Sequence, residues 1–255
     1  MINHYYMQIL GIDIGGSGIK GAPVDLEKEN YLGERFRIPT PQPATPEAVA
    51  QCVLELVDHF NWKGPLGFGF PTVIVNGKAK AYSNMHPSWL NVQIDSLLEE
   101  KTGLPCTVIN DADAAALAEM KYGAGKDLKG MVAVITVGTG IGSGLFYNGE
   151  LIPNFEFGRI PWEKQPIEKY AANSIRKKEE LSYEEWAERF DFFLKQVELI
   201  CTPDYYIIGG GICKKMELFK HLLTTDIPIV AAQTKNHAGL IGAAYAAMLK
   251  LKSNS

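Results

Sequence analysis

A cluster of glycines and polar residues near the start of the chain has the composition of a phosphate-binding turn. The glycines are Gly15, Gly16 and Gly18, and the polar residues are Asp13, Ser17 and Lys20. Glycines let backbone N–H groups approach a phosphate because no side chain intervenes. The aspartate can hold a magnesium ion, directly or through water, and the serine and lysine add a hydroxyl and a cation. The spacing is not that of a GxxxxGK[ST] loop, and a plain hairpin turn is the alternative.

A second turn of the same kind occurs in the other half of the chain. Gly138, Thr139 and Gly140 stand between two apolar segments, Met131–Val137 and Ile141–Tyr147. No helix follows the turn, which argues against a dinucleotide site of the Rossmann type. One glycine turn in each half fits two phosphate clamps that face each other across a cleft.

Asn110 and Asp111 lie between these turns, at the end of a predicted strand and just before an alanine-rich helix. Catalytic groups of α/β proteins commonly lie at the carboxyl ends of strands. Asp111 is therefore a candidate general base for an attacking hydroxyl. It is equally suited to be the N-cap of the helix, and Asp113 competes for either role.

Two further segments suit an anionic ligand. Gly209, Gly210 and Gly211 follow a short apolar strand and precede Lys214, which predicts either a backbone packed close to a flat ligand or a strand-to-helix loop. Lys177 and Lys178 form a basic cluster that also fits a solvated helix face.

The elements that must position these residues alternate between strands and helices, which predicts an α/β protein. Each half opens with a strand, a glycine turn and a strand, a pattern that indicates an internal structural duplication. The predicted hairpin of Ile9–Ile14 and Gly18–Val24 is followed by a third strand over Tyr31–Ile38. The later predicted strands are Leu66–Phe70, Cys106–Ile109 and Tyr205–Ile208. The predicted helices are Glu47–Phe60, Val92–Thr102, Ala112–Tyr122, Tyr183–Ile200 and Gly239–Leu251.

Composition sets the broad class. The 255 residues are 46% hydrophobic and 21% charged, with a formal net charge of -4, which argues against a general nucleic-acid or anionic-membrane binder. The first residues show no signal peptide, and no stretch of the sequence approaches the roughly 20 apolar residues that span a bilayer, so we expect a cytoplasmic protein. Four scattered cysteines contain no CxxC pair and predict reduced, buried thiols rather than a zinc site.

The ordered set of motifs resembles the ROK family of sugar kinases, and within it the polyphosphate glucokinases. The match extends over nearly the whole chain, and its order is more specific than any single motif. The segments that carry it are Leu10–Lys20, Asn110–Ala115, Gly138–Ser143, Pro153–Gly158, Ile175–Ala187 and Ile207–Gly211.

The resemblance implies an actin-like ATPase fold, related to ribonuclease H, with two lobes around a cleft. A smaller lobe is expected from residues 1–112 with the C-terminal helix 240–255, and a larger one from 113–239. Asp111 matches the catalytic base. The sugar-binding positions are matched by Asn84, Asn110, Glu156 and Arg159, the phosphate hairpins by the two glycine turns, and the donor region by Gly209–Gly211.

Two departures from the family pattern bear on substrate and metal. The cysteine-rich zinc motif after the sugar-binding glutamate is absent, since Pro161-Trp162-Glu163-Lys164 follows instead, as in the polyphosphate-using branch. The family sequence Glu-x-Gly-His is here Glu156-Phe157-Gly158-Arg159. Arginine is larger than histidine, permanently charged and only a donor, so sugar specificity is expected to depend on this position.

The resemblance implies phosphoryl transfer from polyphosphate, ATP or both to the 6-hydroxyl of glucose or a related hexose, with Mg²⁺ and without zinc. Lys177 and Lys178 supply the cations that a phosphate chain requires. A homodimer is expected from family members. The alternative is a weak or inactive sugar- or nucleotide-binding regulator on the same fold. Because the first predicted strand begins close to Met1, we do not expect the N-terminal DNA-binding domain of ROK repressors.

Overall fold

The computed structural model describes residues 8–28, 30–31, 34–234 and 237–253. Among these residues the strands are β1 (Gln8–Gly15), β2 (Gly18–Asp25), β3 (Asn30–Tyr31), β4 (Phe36–Ile38), β5 (Leu66–Phe70), β6 (Ile74–Val75), β7 (Lys78–Ala79), β8 (Cys106–Asn110), β9 (Met131–Val137), β10 (Ile141–Tyr147), β11 (Glu150–Ile152), β12 (Pro161–Trp162), β13 (Gln165–Pro166), β14 (Tyr205–Gly209) and β15 (Ile229–Ala231). The α-helices are α1 (Pro46–His59), α2 (Ile94–Thr102), α3 (Asp111–Tyr122), α4 (Glu168–Ala171), α5 (Asn173–Lys178), α6 (Tyr183–Ile200) and α7 (Ala238–Ser253).

These elements form two compact units, residues 1–118 with 237–255 and residues 119–236. In the described part of the first unit the strands follow the order β3-β2-β1-β5-β8, with β4 also paired to β2. In the second the order is β11-β10-β9-β14-β15. Each path holds two antiparallel pairs followed by two parallel ones. The two sheets thus share one topology, which supports the internal duplication predicted from the glycine turns.

The core of the first unit lies between the sheet and helices α1 and α2. Alternate residues of β1, including Leu10 and Ile12, are fully buried together with Val53 and Leu56 of α1. Helix α1 begins where the sequence changes from turn to apolar periodicity, with the Thr45 hydroxyl capping the Ala48 N–H at 3.3 Å. This packing fixes the strands whose ends carry the candidate site.

Helix α7 packs against the sheet through glycines. A β-carbon at Gly11 of β1 would meet the carbonyl of Leu240, and one at Gly67 of β5 would meet that of Ala243. In the same way Gly242 of α7 lies on the carbonyl of Ala114 in α3. Because these positions lack side chains, the helix backbone approaches sheet and helix directly, which fixes the first turn of α3.

The core of the second unit is aromatic and packs α6 against β9 and β14. Trp186, Phe190 and Phe193 are fully buried with Ile135 and Ile208. The helix begins with a capping box, in which the Ser182 hydroxyl accepts the Glu185 N–H and the Glu185 carboxylate accepts the Ser182 N–H. The unit thus places β9 and β14 side by side as rigid central strands.

Three sequence predictions need correction. The third strand over residues 31–38 is not continuous, because Glu34 and Arg35 lie outside any strand, while residues 32 and 33 are outside the described part of the chain. Helix α2 begins at Ile94 rather than Val92, since Asn91 has a positive φ of 66° and Val92 is in a turn. Cys201 and Cys213 are partly exposed, unlike the buried Cys52 and Cys106.

In the described ranges none of the helices has both the length and the apolar character that crossing a bilayer requires.

Candidate active site

The first glycine turn is held by two groups that follow it in the chain. Gly15 and Gly18 face each other across the β1–β2 hairpin. The buried Thr40 hydroxyl donates to the Gly15 carbonyl, and Arg37 Nη2 donates to the Ser17 carbonyl at 2.7 Å. Because the carbonyl and N–H of a trans peptide point in opposite directions, the Gly16 N–H is directed away from Thr40. A fixed backbone N–H of this kind suits a phosphate oxygen.

Close neighbours, rather than backbone conformation, favour glycine at this turn. Gly15, Gly16 and Gly18 are not among the residues with positive φ. A β-carbon at Gly16 would lie 3.1 Å from Nδ2 of Asn84, and one at Gly18 would lie 2.7 Å from the guanidinium carbon of Arg37. The structure therefore brings Asn84, predicted to bind sugar, to the predicted phosphate turn.

Asp13 and Lys20 form an ion pair beside the turn. They face each other across the hairpin, with Lys20 Nζ 3.2 Å from Asp13 Oδ2. The Lys20 side chain is 33% exposed and the Asp13 side chain 27%. A β-carbon at Gly239, in the first turn of α7, would lie 3.5 Å from the Asp13 carboxyl carbon. The two charges predicted to serve metal and phosphate are thus adjacent.

Parallel pairing brings Asp111 to the same edge of the sheet. In the register of β1, β5 and β8, Asp13 lies opposite Gly69. A β-carbon at Gly69 would lie 3.5 Å from the Asp111 Cα, so the absence of a side chain there leaves Asp111 next to β5. The glycine turn, Asp13 and Asp111 consequently occupy one edge of the first sheet.

The N-cap of α3 is Asn110. The sequence left both the N-cap role and the general-base role open for Asp111, and the first of these belongs to Asn110. Its Oδ1 accepts the N–H groups of Ala112 at 2.8 Å and Asp113 at 3.0 Å, and its Nδ2 donates to the Thr72 carbonyl at 3.0 Å. Asp111 is the first helical residue, and its own Oδ1 accepts the Ala112 N–H at 2.9 Å. Capping therefore does not by itself account for an aspartate at position 111.

Burial distinguishes the two aspartates. Asp113 is 2% exposed, whereas Asp111 is half-buried. A general base must come within hydrogen-bond reach of a substrate hydroxyl, which favours the more accessible carboxylate. Asn110 is 4% exposed and makes the contacts that fix this turn of chain.

The second glycine turn is held in the same manner as the first. The Ser174 N–H donates to the Gly138 carbonyl at 3.0 Å, and the Ser174 hydroxyl donates to the Thr139 carbonyl at 2.5 Å. The peptide N–H groups of Thr139 and Gly140 therefore point away from Ser174. On the strand that follows, the Ile141 N–H donates to the Glu168 carboxylate at 3.1 Å.

The three glycines after β14 lie beside this second turn. Gly209 pairs with Thr136 of the parallel strand β9. Gly210 has a φ of 78°, and a β-carbon there would lie 2.5 Å from the Val137 carbonyl, so both conformation and space require glycine. Lys214 is exposed on the segment that follows. Gly209 and Gly210, two of the predicted donor residues, thus lie beside the end of β9 that leads into the second glycine turn.

The basic cluster is carried on the helix that holds the second turn. Arg176 is used internally, because its guanidinium donates to Asn173 and Leu181 and lies 4.4 Å from the centre of the Tyr183 ring. Lys177 and Lys178 are exposed and make no ion pair with the residues that the structure describes. They follow Ser174 by about one helical turn.

A single buried serine, Ser143, forms hydrogen bonds with the backbone on both sides of Glu156. The Ser143 hydroxyl of β10 donates to the Phe155 carbonyl at 2.5 Å and accepts the Phe157 N–H at 2.9 Å. Ser143 is 3% exposed, so these contacts are shielded from water. The serine therefore fixes the backbone on both sides of the glutamate that the sequence assigns to sugar binding.

Arg159 lies against Glu156, with Nε 3.5 Å from Oε2. Burial raises the pKa of the Glu156 carboxyl, the nearby Arg159 partly lowers it, and Glu168 raises it further. The arginine that replaces the family histidine thus neutralises part of the charge of the predicted sugar-binding carboxylate.

The segment that departs from the family zinc motif forms a small hairpin of β12 and β13. Its Trp162 packs against Phe192 at 4.5 Å and Tyr170 at 5.5 Å between ring centres. Arg189 in turn lies over the Tyr170 ring at 4.8 Å. Aromatic and cation–π contacts hold this segment. Over the described ranges no group of three or more potential ligand side chains could hold a metal ion.

Several residues of the site were missed by the sequence reasoning. Arg37, Thr40 and Ser174 hydrogen-bond the predicted turns. Glu168 accepts the Ile141 N–H next to the second turn, and Ser143 hydrogen-bonds the residues on either side of Glu156. Only Ser143 lies within a motif already recognised as glycine-rich. The others lie 20 to 35 residues from their partners, where local spacing carries no signal.

This chain is similar to known proteins over most of its length. The model of the ROK family matches residues 9–154. The polyphosphate glucokinase of Mycobacterium tuberculosis (strain CDC 1551 / Oshkosh) is 44% identical over 239 residues, which cover 93% of this chain and 90% of the relative.

Two solved structures share the fold. The inorganic polyphosphate/ATP-glucomannokinase from Arthrobacter sp. strain KM has a TM-score of 0.88 and 44% identity, covering 95% of this chain and 99% of that one. A ROK family glucokinase from Streptomyces griseus, solved with glucose and AMPPNP, has a TM-score of 0.79 and 24% identity, with 95% and 99% covered.

The fold is that of the actin-like sugar kinases, as predicted from the motifs. The chain belongs to the ROK family.

Proposed function

We propose that this protein is a sugar kinase that transfers a phosphoryl group from polyphosphate, ATP or both to the 6-hydroxyl of glucose or a related hexose. The observation that carries the proposal is the clustering of Asp111, Asp13 and the Gly15–Gly18 turn at one sheet edge. The 44% identity to proteins named polyphosphate glucokinase and polyphosphate/ATP-glucomannokinase supports both donors and the hexose class.

Asp111 acts as the general base in the proposed reaction. Its carboxylate accepts the proton of the sugar hydroxyl while the sugar oxygen bonds to the terminal phosphorus of the donor. The bond from that phosphorus to the bridging oxygen breaks, and the shortened polyphosphate or ADP leaves. Asn110 supports this role through its contacts to Thr72 and the first turn of α3, which hold Asp111 in place.

Phosphoryl transfer passes through a transition state whose charge is spread over the phosphoryl oxygens. Backbone N–H groups at each glycine turn, taken by itself, suit phosphate charge because the carbonyls of that turn are held by side chains. Thr40 and Arg37 hold them at the first turn, and Ser174 holds them at the second. Lys20 adds a cation at the first turn. Gly209–Gly211 and Lys214 belong to the donor side, as do Lys177 and Lys178, which extend the cationic surface for a longer phosphate chain.

Mg²⁺ fits this chemistry through Asp13. Magnesium is commonly held by one or two carboxylates together with water and substrate phosphates, so a complete protein cage is not required. Asp13 supplies one carboxylate beside the glycine turn, with Lys20 at 3.2 Å as a competing cation. The metal would neutralise charge on the donor phosphates.

Sugar binding is assigned to Glu156, Asn84, Asn110 and Arg159. A carboxylate accepts hydrogen bonds from sugar hydroxyls, and Ser143 fixes the chain around Glu156 for this purpose. The Arg159–Glu156 pair is the observation that favours the alternative, a weakly active or inactive sugar-binding regulator, because it engages the sugar-binding carboxylate.

The test is an assay of purified protein against a panel of hexoses with Mg²⁺ and either ATP or polyphosphate. The proposal expects a hexose 6-phosphate to form with at least one donor. Sugar binding without phosphorylation by either donor would instead support the regulator. We further propose, on the basis of the family resemblance, that the protein is cytoplasmic and a homodimer. Light scattering of the purified protein checks the dimer.

A further inference from the structure

The Arg37 side chain lies against the first glycine turn, and Arg37 is not among the residues assigned above to donor binding. It lies on β4, which pairs with β2 so that Arg37 is opposite Lys20. Lys20 is in turn opposite Asp13. Directly opposed residues of antiparallel strands project from the same face of a sheet. Asp13, Lys20 and Arg37 therefore form a row of one carboxylate and two cations beside the turn.

The guanidinium is held at a defined place on the turn. Nη2 donates to the Ser17 carbonyl at 2.7 Å, and the side chain occupies the space that a β-carbon at Gly18 would fill. Of five guanidinium N–H donors, this contact uses one. Among the described residues Arg37 makes no ion pair, in contrast to Lys20 with Asp13.

Arg37 is exposed, is held over a backbone turn and has no carboxylate partner within the described ranges, so it presents charge and paired donors to solvent. Guanidinium groups match phosphate oxygens in a two-pronged geometry that a lysine lacks. The glycine turn offers backbone N–H groups to the same kind of ligand. The position and the chemistry thus agree on a phosphate group as the partner of Arg37.

We propose that Arg37 is a donor-binding residue that contacts the phosphates of the polyphosphate or ATP donor at the first glycine turn. This inference rests on the proposed kinase function and adds to it a residue that determines donor affinity. The hydrogen bond to Ser17 holds the guanidinium in place, and Gly18 provides the space it requires.

The test compares Arg37→Gln, Arg37→Lys and the control Arg35→Gln in steady-state kinetics. Glutamine is polar but lacks the charge. Arg35 is an exposed arginine two residues away, and its glutamine variant has the same net charge as Arg37→Gln. We expect Arg37→Gln to raise the donor KM about tenfold, with a weaker dependence on salt. Arg37→Lys recovers part of the donor affinity, and Arg35→Gln leaves the donor KM unchanged. The sugar KM is unchanged in all three variants.

Measuring both donors distinguishes where Arg37 acts. A rise in KM for both places the guanidinium on phosphates that ATP and polyphosphate share, and a rise for polyphosphate alone places it on the longer chain. An unchanged donor KM in Arg37→Gln, or a loss of kcat and thermal stability alone, overturns the proposal. Inactivity of the unaltered protein with every sugar and donor would instead overturn the kinase function.

Discussion

The Nε of Arg159 lies 3.5 Å from Oε2 of Glu156, so the residue that departs from the family pattern contacts the glutamate assigned to sugar binding. The arginine side chain is 43% exposed, and ion pairs in such positions contribute little to stability. Its main effect is therefore expected on the charge of Glu156 and on sugar binding.

The pH dependence of sugar use should reveal this pair. Burial raises the pKa of Glu156 and Arg159 opposes that rise, so Arg159→Gln leaves the pKa higher still. Because the carboxylate then becomes protonated at higher pH, the acid limb of kcat/KM for the sugar moves to higher pH. The control Lys164→Gln, which removes an exposed cation from the β12–β13 turn, leaves the limb in place. An acid limb unmoved or moved to lower pH would contradict this account of Glu156.

Ser143→Ala tests whether the hydrogen bonds of Ser143 on both sides of Glu156 support sugar binding. Loss of the hydroxyl removes a donor to Phe155 and an acceptor for Phe157, and we expect the sugar KM to rise about tenfold while the donor KM is unchanged. Ser174→Ala is the matched variant, since it loses a hydroxyl contact on the second glycine turn and should raise the donor KM instead. Equal changes of both constants in both variants would argue against separate roles.

The local pattern of the sequence was sufficient for the hairpins and insufficient for what holds them. Apolar runs that end in glycine predicted β1–β2 and β9–β10. The turn to β11 is formed by Asn148-Gly149, a tight-turn pair in which both residues have positive φ. Asn76-Gly77 is the same signal for the β6–β7 hairpin, which was overlooked.

The residues of the candidate site also divide into those that a local motif predicts and those that depend on tertiary contacts. Asp111 and Glu156 were predicted from motifs, because motif and spacing are local. The contact of Asn110 with Thr72, the carbonyl contacts of Thr40 and Ser174 and the position of Arg37 depend on tertiary packing between distant segments. Helix α2 begins late because the positive φ of Asn91 interrupts the chain before it, which apolar periodicity does not show.

Asn110 is expected to be a stability residue as well as a member of the site. Asn110→Ala removes the cap of α3 and the bond to Thr72, and should lower the free energy of unfolding by about 2–3 kcal/mol. Asn110→Asp keeps the acceptor for Ala112 and Asp113 and should lose only about 1 kcal/mol. Urea denaturation measures both. If the aspartate variant is as unstable as the alanine variant, the cap is not what stabilises this turn.

Lys177 and Lys178 are expected to act on long donors. Replacing both with glutamine should raise the KM for polyphosphate roughly five- to tenfold and reduce its salt dependence, with a smaller effect on ATP. The exposed Lys63 and Lys101, replaced together, provide a control of equal charge in the other unit. A rise of the ATP and polyphosphate KM by the same factor, or a rise in the control, would contradict a role specific to the phosphate chain.

The kinase account depends most on Asp111, the half-buried carboxylate at the start of α3. The direct measurement is kcat for Asp111→Asn with saturating sugar and donor, in protein shown to be folded by its unaltered urea transition. Asparagine keeps the size of the side chain but cannot accept the hydroxyl proton, so we predict a fall in kcat of about 10²–10⁴-fold with little change in KM. A folded variant with the kcat of the unaltered enzyme would contradict the account.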